Sequence, residues 1–293
     1  MNDYKVYLQK EGYTDKTIGT YINQTRMFIK WCNRNHTTPI EINYKDCLKY
    51  IKYLQRKSNT KKTVNHRLGC VKNYLNYLVA ENFKSENPIE RTSVKGVIRH
   101  INYNLLEAEE LEDLYYSFET DRQQEEYHFY TAKRDKIITG FIVYQGLDTK
   151  DLKNLRTAHL QLNKGKIYVP CTKKSNTREL ELKPWQMMEL LEFMNETRAK
   201  LLERTAETDY LFPYDGNRFT VTHTIIKKLK KYNKKVVNSR QLRASVITNW
   251  LGQYNLRKVQ YLAGHRYISS TERYLQDDLE NLHEIVNNFH PIS

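Results

Sequence analysis

Apolar residues recur at helical spacing along most of this chain, and the period drops to two only between residues 160 and 182. That single window restricts the fold to a mainly α architecture with one small antiparallel sheet, because a 3.6-residue period cannot line one face of a strand. Upstream, Ile18, Tyr21, Ile22, Met27, Phe28 and Trp31 follow a cap at Asp15 or Thr17. Cys47, Leu48, Ile51 and Leu54 mark a third helix, and Val64, Leu68, Val71, Tyr74, Leu75 and Leu78 a fourth. With no alternation among them, residues 1–86 read as an N-terminal four-helix domain.

Asn87-Pro88 closes that region, and the aperiodic, basic stretch 87–104 reads as a linker. The second domain, 105–293, starts with a helix through Leu106, Leu111, Leu114 and Tyr115. A buried helix through Ile137, Ile138, Phe141, Ile142 and Tyr144 follows. Leu160 and Leu162, a turn at Gly165, then Ile167 and Val169 predict a hairpin. Arg178 to Leu182 supplies a third strand in which Leu180 and Leu182 alternate with charges, and Pro184 opens a long helix to about Arg204. Later helices are expected near 220–233, 239–252, 255–263 and 277–289, which makes this domain an α+β unit.

A chain of 293 residues can bury two cores. Its 48 Lys+Arg against 34 Asp+Glu give a formal charge of +14, which points to a polyanionic partner. No apolar run reaches the length of a membrane span, and the start lacks a signal peptide's apolar core. Cys32, Cys47, Cys70 and Cys171 show no metal-ligand spacing and read as reduced thiols of a cytosolic protein, so no metal or other cofactor is expected.

Basic residues cluster where the third helix ends and the fourth begins. Lys61, Lys62, Asn65, Arg67 and Lys72 are the candidates there for contacts to phosphates and base edges. A second cluster opens the helix at Ser239, where Arg240 and Arg243 lie three apart in the first turn. Cations at a helix N-terminus oppose its dipole, and that local conflict suggests a place built for an anion.

Arg240-Gln241-Leu242-Arg243, Leu262-Ala263-Gly264-His265 and Ser270-Thr271-Glu272-Arg273-Tyr274 resemble, in order and spacing, the C-terminal signature of the tyrosine recombinases, the phage integrase family. The resemblance extends over nearly the whole chain. It implies a core-binding, SAM-like helical domain followed by a catalytic domain. It also assigns Tyr274 as nucleophile, Arg243 as a phosphate-clamping arginine and His265 as the residue steadying the scissile phosphate. Lys173, with Lys174 as its neighbour, matches the hairpin lysine that protonates the leaving 5′ oxygen.

Two positions depart from the pattern. In Gln145-Gly146-Leu147-Asp148-Thr149-Lys150-Asp151-Leu152, Asp148 stands where the family has its first catalytic arginine, while Asp151 keeps the acidic position. Arg240 replaces the usual histidine and is the first candidate to fill the gap, ahead of Arg156 and Arg178. The implied activity is site-specific strand exchange through a 3′-phosphotyrosyl intermediate, with no ATP and no metal. The implied partners are double-stranded DNA clamped between the two domains, three further copies of the chain and accessory DNA-bending proteins. The last helix, with Leu279, Leu282, Ile285, Val286 and Phe289, is expected to dock on a neighbour. A helical unit beginning almost at Met1 leads us to expect no separate arm-binding domain. The rival expectations are a nicking-closing enzyme of type IB topoisomerase character and a DNA-binding protein that lost turnover.

Overall fold

The computed structural model describes residues 1–57, 60–96, 104–120, 126–172, 175–214 and 218–275. The chain divides into two compact units, Met1–Arg99 and His100–Ser293.

The first unit is built from α1 (Asn2–Lys10), α2 (Asp15–Arg34), α3 (Tyr44–Arg56) and α4 (Lys61–Ala80). Short polar residues fix two of the starts. Asn43 accepts from the Asp46 amide at 3.1 Å, and Thr60 accepts from the Thr63 amide at 3.2 Å. For α2 the N-cap is Thr14, ahead of the expected Asp15 or Thr17. Leu8, Phe28, Cys32, Leu54, Val64, Val71 and Leu75 are buried in a shared core.

The stretch expected to be a linker begins as part of this unit. Ile89 is buried in the same core and Val94 packs on it. Asn65 on α4 donates its amide to the Val94 carbonyl and accepts the Val94 N–H, both at 2.8 Å. Lys72 donates to the Glu90 carbonyl at 2.7 Å. Residues 97–103 of the expected linker lie outside the described residues.

In the second unit α5 (Ala108–Tyr116) packs on α6 (Glu126–Val143), which is buried continuously from Ile137 to Val143 and forms the centre. Then come α7 (Thr149–Asn154), β1 (Leu160–Gln161), β2 (Lys166–Val169) and β3 (Arg178–Glu181). The three strands are antiparallel in the order β1-β2-β3, with Ile167 opposite both Leu160 and Leu180 and Val169 opposite Arg178. α8 (Pro184–Glu192) continues through one π turn, Phe193–Thr197, into α9 (Arg198–Leu202), so the expected long helix is present with a local widening. α10 (Arg218–Tyr232), α11 (Ser239–Leu251) and α12 (Leu256–Ala263) follow. Asn238 caps α11 through the Gln241 amide, and Asn255 caps α12 through the Lys258 amide, each at 2.9 Å. Among the described residues no helix is long and apolar enough to cross a membrane.

Candidate active site

Four pieces of the second unit meet around one buried carboxylate. The first is the α7 start. Asp148 is its N-cap: one carboxylate oxygen accepts the Lys150 and Asp151 amides at 2.7 and 2.9 Å, while Asp151 reaches back to the Asp148 amide at 3.3 Å. This reciprocal pair is a capping box, and it leaves Asp148 a structural task in place of the cationic one that its position suggested. Asp151 is buried, and its Oδ2 pairs with Arg178 Nη2 at 2.7 Å and lies 3.7 Å from Arg243 Nη1.

The second piece is β3. Its faces alternate, with Arg178 and Leu180 buried and Glu179 and Glu181 exposed, so Arg178 projects toward the core. Burial pulls its guanidinium below the usual arginine range, against the opposing pull of Asp151.

The third is α11, which holds Arg243 between two loops. Its Nη1 donates to the Gly146 carbonyl and its Nη2 to the Ala263 carbonyl at 2.5 Å. Three of the five guanidinium N–H groups remain for another acceptor. Gly146 adopts φ +57° to turn its carbonyl toward Arg243, with Val246 close beneath it.

The fourth is the end of α12 and the turn after it. Gly264 has φ +68°, and a Cβ there would lie 2.5 Å from Arg178 Nη1, so glycine is required both by conformation and by the guanidinium stacked on it. His265 follows, half-buried, with Nδ1 2.9 Å from the buried Thr271 hydroxyl. Burial, then Arg243, Arg178 and Arg273, push its imidazole down to about 4, so it is neutral at physiological pH. Tyr274 stacks on it, ring centroids 5.9 Å apart and planes 15° from parallel, and packs against the cluster of Ile247, Val259 and Ala263. The β2–β3 connection is tied to the same turn: Ser175 bridges His265, Asn176 donates to the Gly264 carbonyl at 2.9 Å, and Arg266 donates to the Thr172 carbonyl at 3.0 Å.

A neutral imidazole with one nitrogen engaged, a guanidinium fixed by backbone carbonyls and a phenol stacked beside them can bind an anionic tetrahedral group and present a hydroxyl to it. The family model described as Phage integrase family matches residues 104–281, and that of the phage integrase N-terminal SAM-like domain matches residues 1–85. The chain belongs to the phage integrase family.

Among integrase relatives, the tyrosine recombinase XerA of Thermococcus kodakarensis is 25% identical over 289 residues, covering 96% of this chain and 92% of that protein. The structure of the XerH site-specific recombinase bound to its palindromic difH substrate, a post-cleavage complex, superposes with a TM-score of 0.70 at 18% identity. It covers 92% of this chain and 79% of that one. A lambda integrase tetramer bound to a Holliday junction gives 0.64 at 15% identity, covering 93% and 75%. At these identities the solved structures establish a shared integrase fold.

Of the residues the integrase signature singles out, the structure brings Arg243, His265 and Tyr274 together. Arg240 is exposed, and no contact joins it to Asp151, Arg178 or Arg243. Lys173 and Lys174 lie outside the described residues, as does the last helix expected at 277–289. On α4, Lys61 and Lys62 are exposed and Arg67 is half-buried. Asn65 is half-buried and spends one N–H and one oxygen lone pair on the Val94 backbone. Lys72 is likewise engaged, by Glu90. Sequence reading ranked Arg178 behind Arg240, although the alternation that identified β3 puts Arg178 on one face with Leu180 and Leu182.

Proposed function

We propose that this integrase-family chain is a site-specific DNA recombinase that cuts and rejoins DNA through Tyr274. The observation that carries the reading is the stack of Tyr274 on His265 beside the carbonyl-held Arg243, within a family-wide fold. In this mechanism Arg243 donates to a nonbridging oxygen of the scissile phosphate. His265, whose Nδ1 lies 2.9 Å from the Thr271 hydroxyl, is assigned the tautomer that donates from Nε2 to another. Both contacts strengthen as charge develops on the phosphorane, which is where such donors lower a barrier most.

The Tyr274 phenol releases its proton to water as its oxygen attacks phosphorus, the P–O5′ bond breaks, and a 3′-phosphotyrosyl ester and a 5′-hydroxyl result. Lys173 is assigned the proton for that leaving oxygen. The 5′-hydroxyl of a partner strand reverses the step, and because each ester replaces another, no ATP is consumed. Lys61, Lys62 and Arg67 are assigned to the DNA backbone through the first unit. A tetramer on two sites is proposed from the lambda integrase assembly.

The test uses nicked suicide duplexes tiled across the DNA flanking the gene. A denaturant-resistant protein–DNA adduct is expected, absent in Tyr274→Phe while gel-shift affinity stays within about threefold, since removing a hydroxyl leaves the phosphate contacts in place. Binding without adduct on every duplex would falsify the enzymatic reading.

A further inference from the structure

Among the described residues Arg178 is the largest side chain to be fully buried, and it is charged. Its side chain has 0% exposure, so it reaches no phosphate in this conformation. Among the described residues, Nη2 has a partner, the Asp151 carboxylate at 2.7 Å, while Nε and Nη1 have no hydrogen-bond acceptor. A buried guanidinium with unused donors is costly, and a chain with no use for it would favour an apolar residue beside Leu180 and Leu182.

The surroundings explain what it holds. Asp151 Oδ2 is shared among Arg178, Arg243 and the Asp148 amide, so the ion pair fixes the carboxylate that flanks Arg243. The same guanidinium lies under Gly264, whose carbonyl is bonded by Asn176 and whose successor is His265. One rigid planar group thus touches the supports of both phosphate-facing side chains.

We propose that Arg178 is the positioning residue of this active site, a buried guanidinium that locks Asp151 against Arg243 from one side and props the Gly264–His265 turn from the other. The proposal rests on the recombinase reading for its consequence in catalysis, and on geometry alone for its consequence at His265. The charged groups facing that imidazole are Arg243 from α11, Arg178 from β3 and Arg273 from the helical turn 269–275, with Asp151 and Asp148 behind Arg178. Taking away the Arg178 charge removes one of the three cations that keep the imidazole neutral and leaves Asp151 less compensated. Both changes favour protonation.

The experiment compares Arg178→Gln with Arg178→Lys in the full chain. It reads the His265 titration by NMR, assigned by its loss in His265→Gln, and adduct formation on the suicide duplex. In Arg178→Gln the His265 titration is expected to move up by roughly half a pH unit or more, with a fall in adduct rate of about thirtyfold or greater and DNA affinity within about threefold. In Arg178→Lys, which keeps the charge, the titration stays and the rate recovers to within about tenfold of the parent. A residue that only fills space would show neither the titration change nor the lysine rescue. If Arg178→Gln does not fold, Arg178→Gln with Asp151→Asn replaces the ion pair by an amide pair and carries the rate comparison.

Parental adduct rates in the glutamine variant, or an unmoved titration, overturn the proposal. If the parent itself forms no adduct, the recombinase reading fails, and the titration alone still decides whether Arg178 governs His265.

Discussion

Asp148 gives the sharpest test of how this site is built, because the position invites a catalytic explanation and the structure supplies a local one. Its Oδ1 accepts two backbone N–H groups of α7, at 2.7 and 2.9 Å. Asp148→Ala strands both. Loss of an N-cap acceptor costs about 1 kcal/mol, with about 2 kcal/mol at the upper end. Two bonds and a half-buried carboxylate place this one toward the top, at roughly 1.5–2 kcal/mol. For a domain this size each kcal/mol moves Tm by about 2–4 °C, so a drop of about 3–8 °C is expected. Asp148→Asn keeps an oxygen where the amides point and is expected to melt within about 2 °C of the parent, Asn being as good an N-cap as Asp. Asp148→Arg, the residue the family pattern favours, is expected to be worse than alanine, since it removes the cap and adds a third guanidinium to a carboxylate already serving Arg178 and Arg243. Thermal melts monitored by circular dichroism rank the series, and suicide-duplex adducts run in parallel. An alanine variant that melts with the parent, or an asparagine variant as dead as Tyr274→Phe, refutes the assignment of Asp148 as a cap.

Gly264→Ala combines a left-handed backbone with a Cβ 2.5 Å from a fully buried guanidinium held by Asp151. It is expected to cost about 2 kcal/mol or more in urea melts and to lower adduct formation further than Asp148→Ala does. The depressed His265 titration fixes the sign of a pH effect: between about 6.5 and 4 the unfolded chain binds a proton that the folded one refuses, so stability falls as pH falls through that window. The contribution is at most about 3 kcal/mol, and its slope should vanish in His265→Gln melts taken from pH 7.5 to 4.5. Replacing Lys61 and Lys62 together by Gln should weaken DNA binding without changing the melt and reduce the salt slope of log K by roughly 2, read from gel shifts at several salt concentrations.

The elements themselves were legible because their signals are local. Helical spacing placed α2, α3 and α4, Gly165 marked the turn before β2, and Pro184 marked the start of α8, each within a few residues of the observed bounds. The convergence of Tyr274, His265 and Arg243 in space was legible through their order and spacing, which match a family signature. Other features depended on what a residue meets far away in the chain. The pairing of Asn65 with the Val94 backbone, 29 positions on, leaves no trace in the local spacing from which Asn65 was read as a DNA contact. Ile89 lay in an aperiodic basic stretch, and one apolar residue gives no period from which burial can be read. Asp148 and Asp151 do carry a local signal, the acceptor three residues ahead of an acidic side chain that marks a capping box, but comparison with an arginine-bearing pattern drew the reading away from it.

On the proposed reading, Arg178 supplies a cation to a site whose position 148 carries a carboxylate. Asp151 is buried and pairs with the Arg178 guanidinium, and Arg243 lies beside it while its Nη atoms hold two carbonyls. An arginine at 148 would have to come from the α7 start, but there the chain uses a carboxylate to satisfy two helix amides. The guanidinium paired with Asp151 belongs instead to Arg178 of β3, on the buried face of that strand and close to Gly264. That route has a consequence an arginine at the helix start would not have: the charge is tied to the same backbone turn that carries His265, so displacement of Arg178 disturbs the carboxylate and the imidazole together. Double-mutant cycles between Arg178→Gln and His265→Gln should therefore show strong non-additivity in adduct formation, with a coupling of about 1 kcal/mol or more. Cycles between Arg178→Gln and Lys61→Gln, whose partners lie in separate units, should add within about 0.5 kcal/mol.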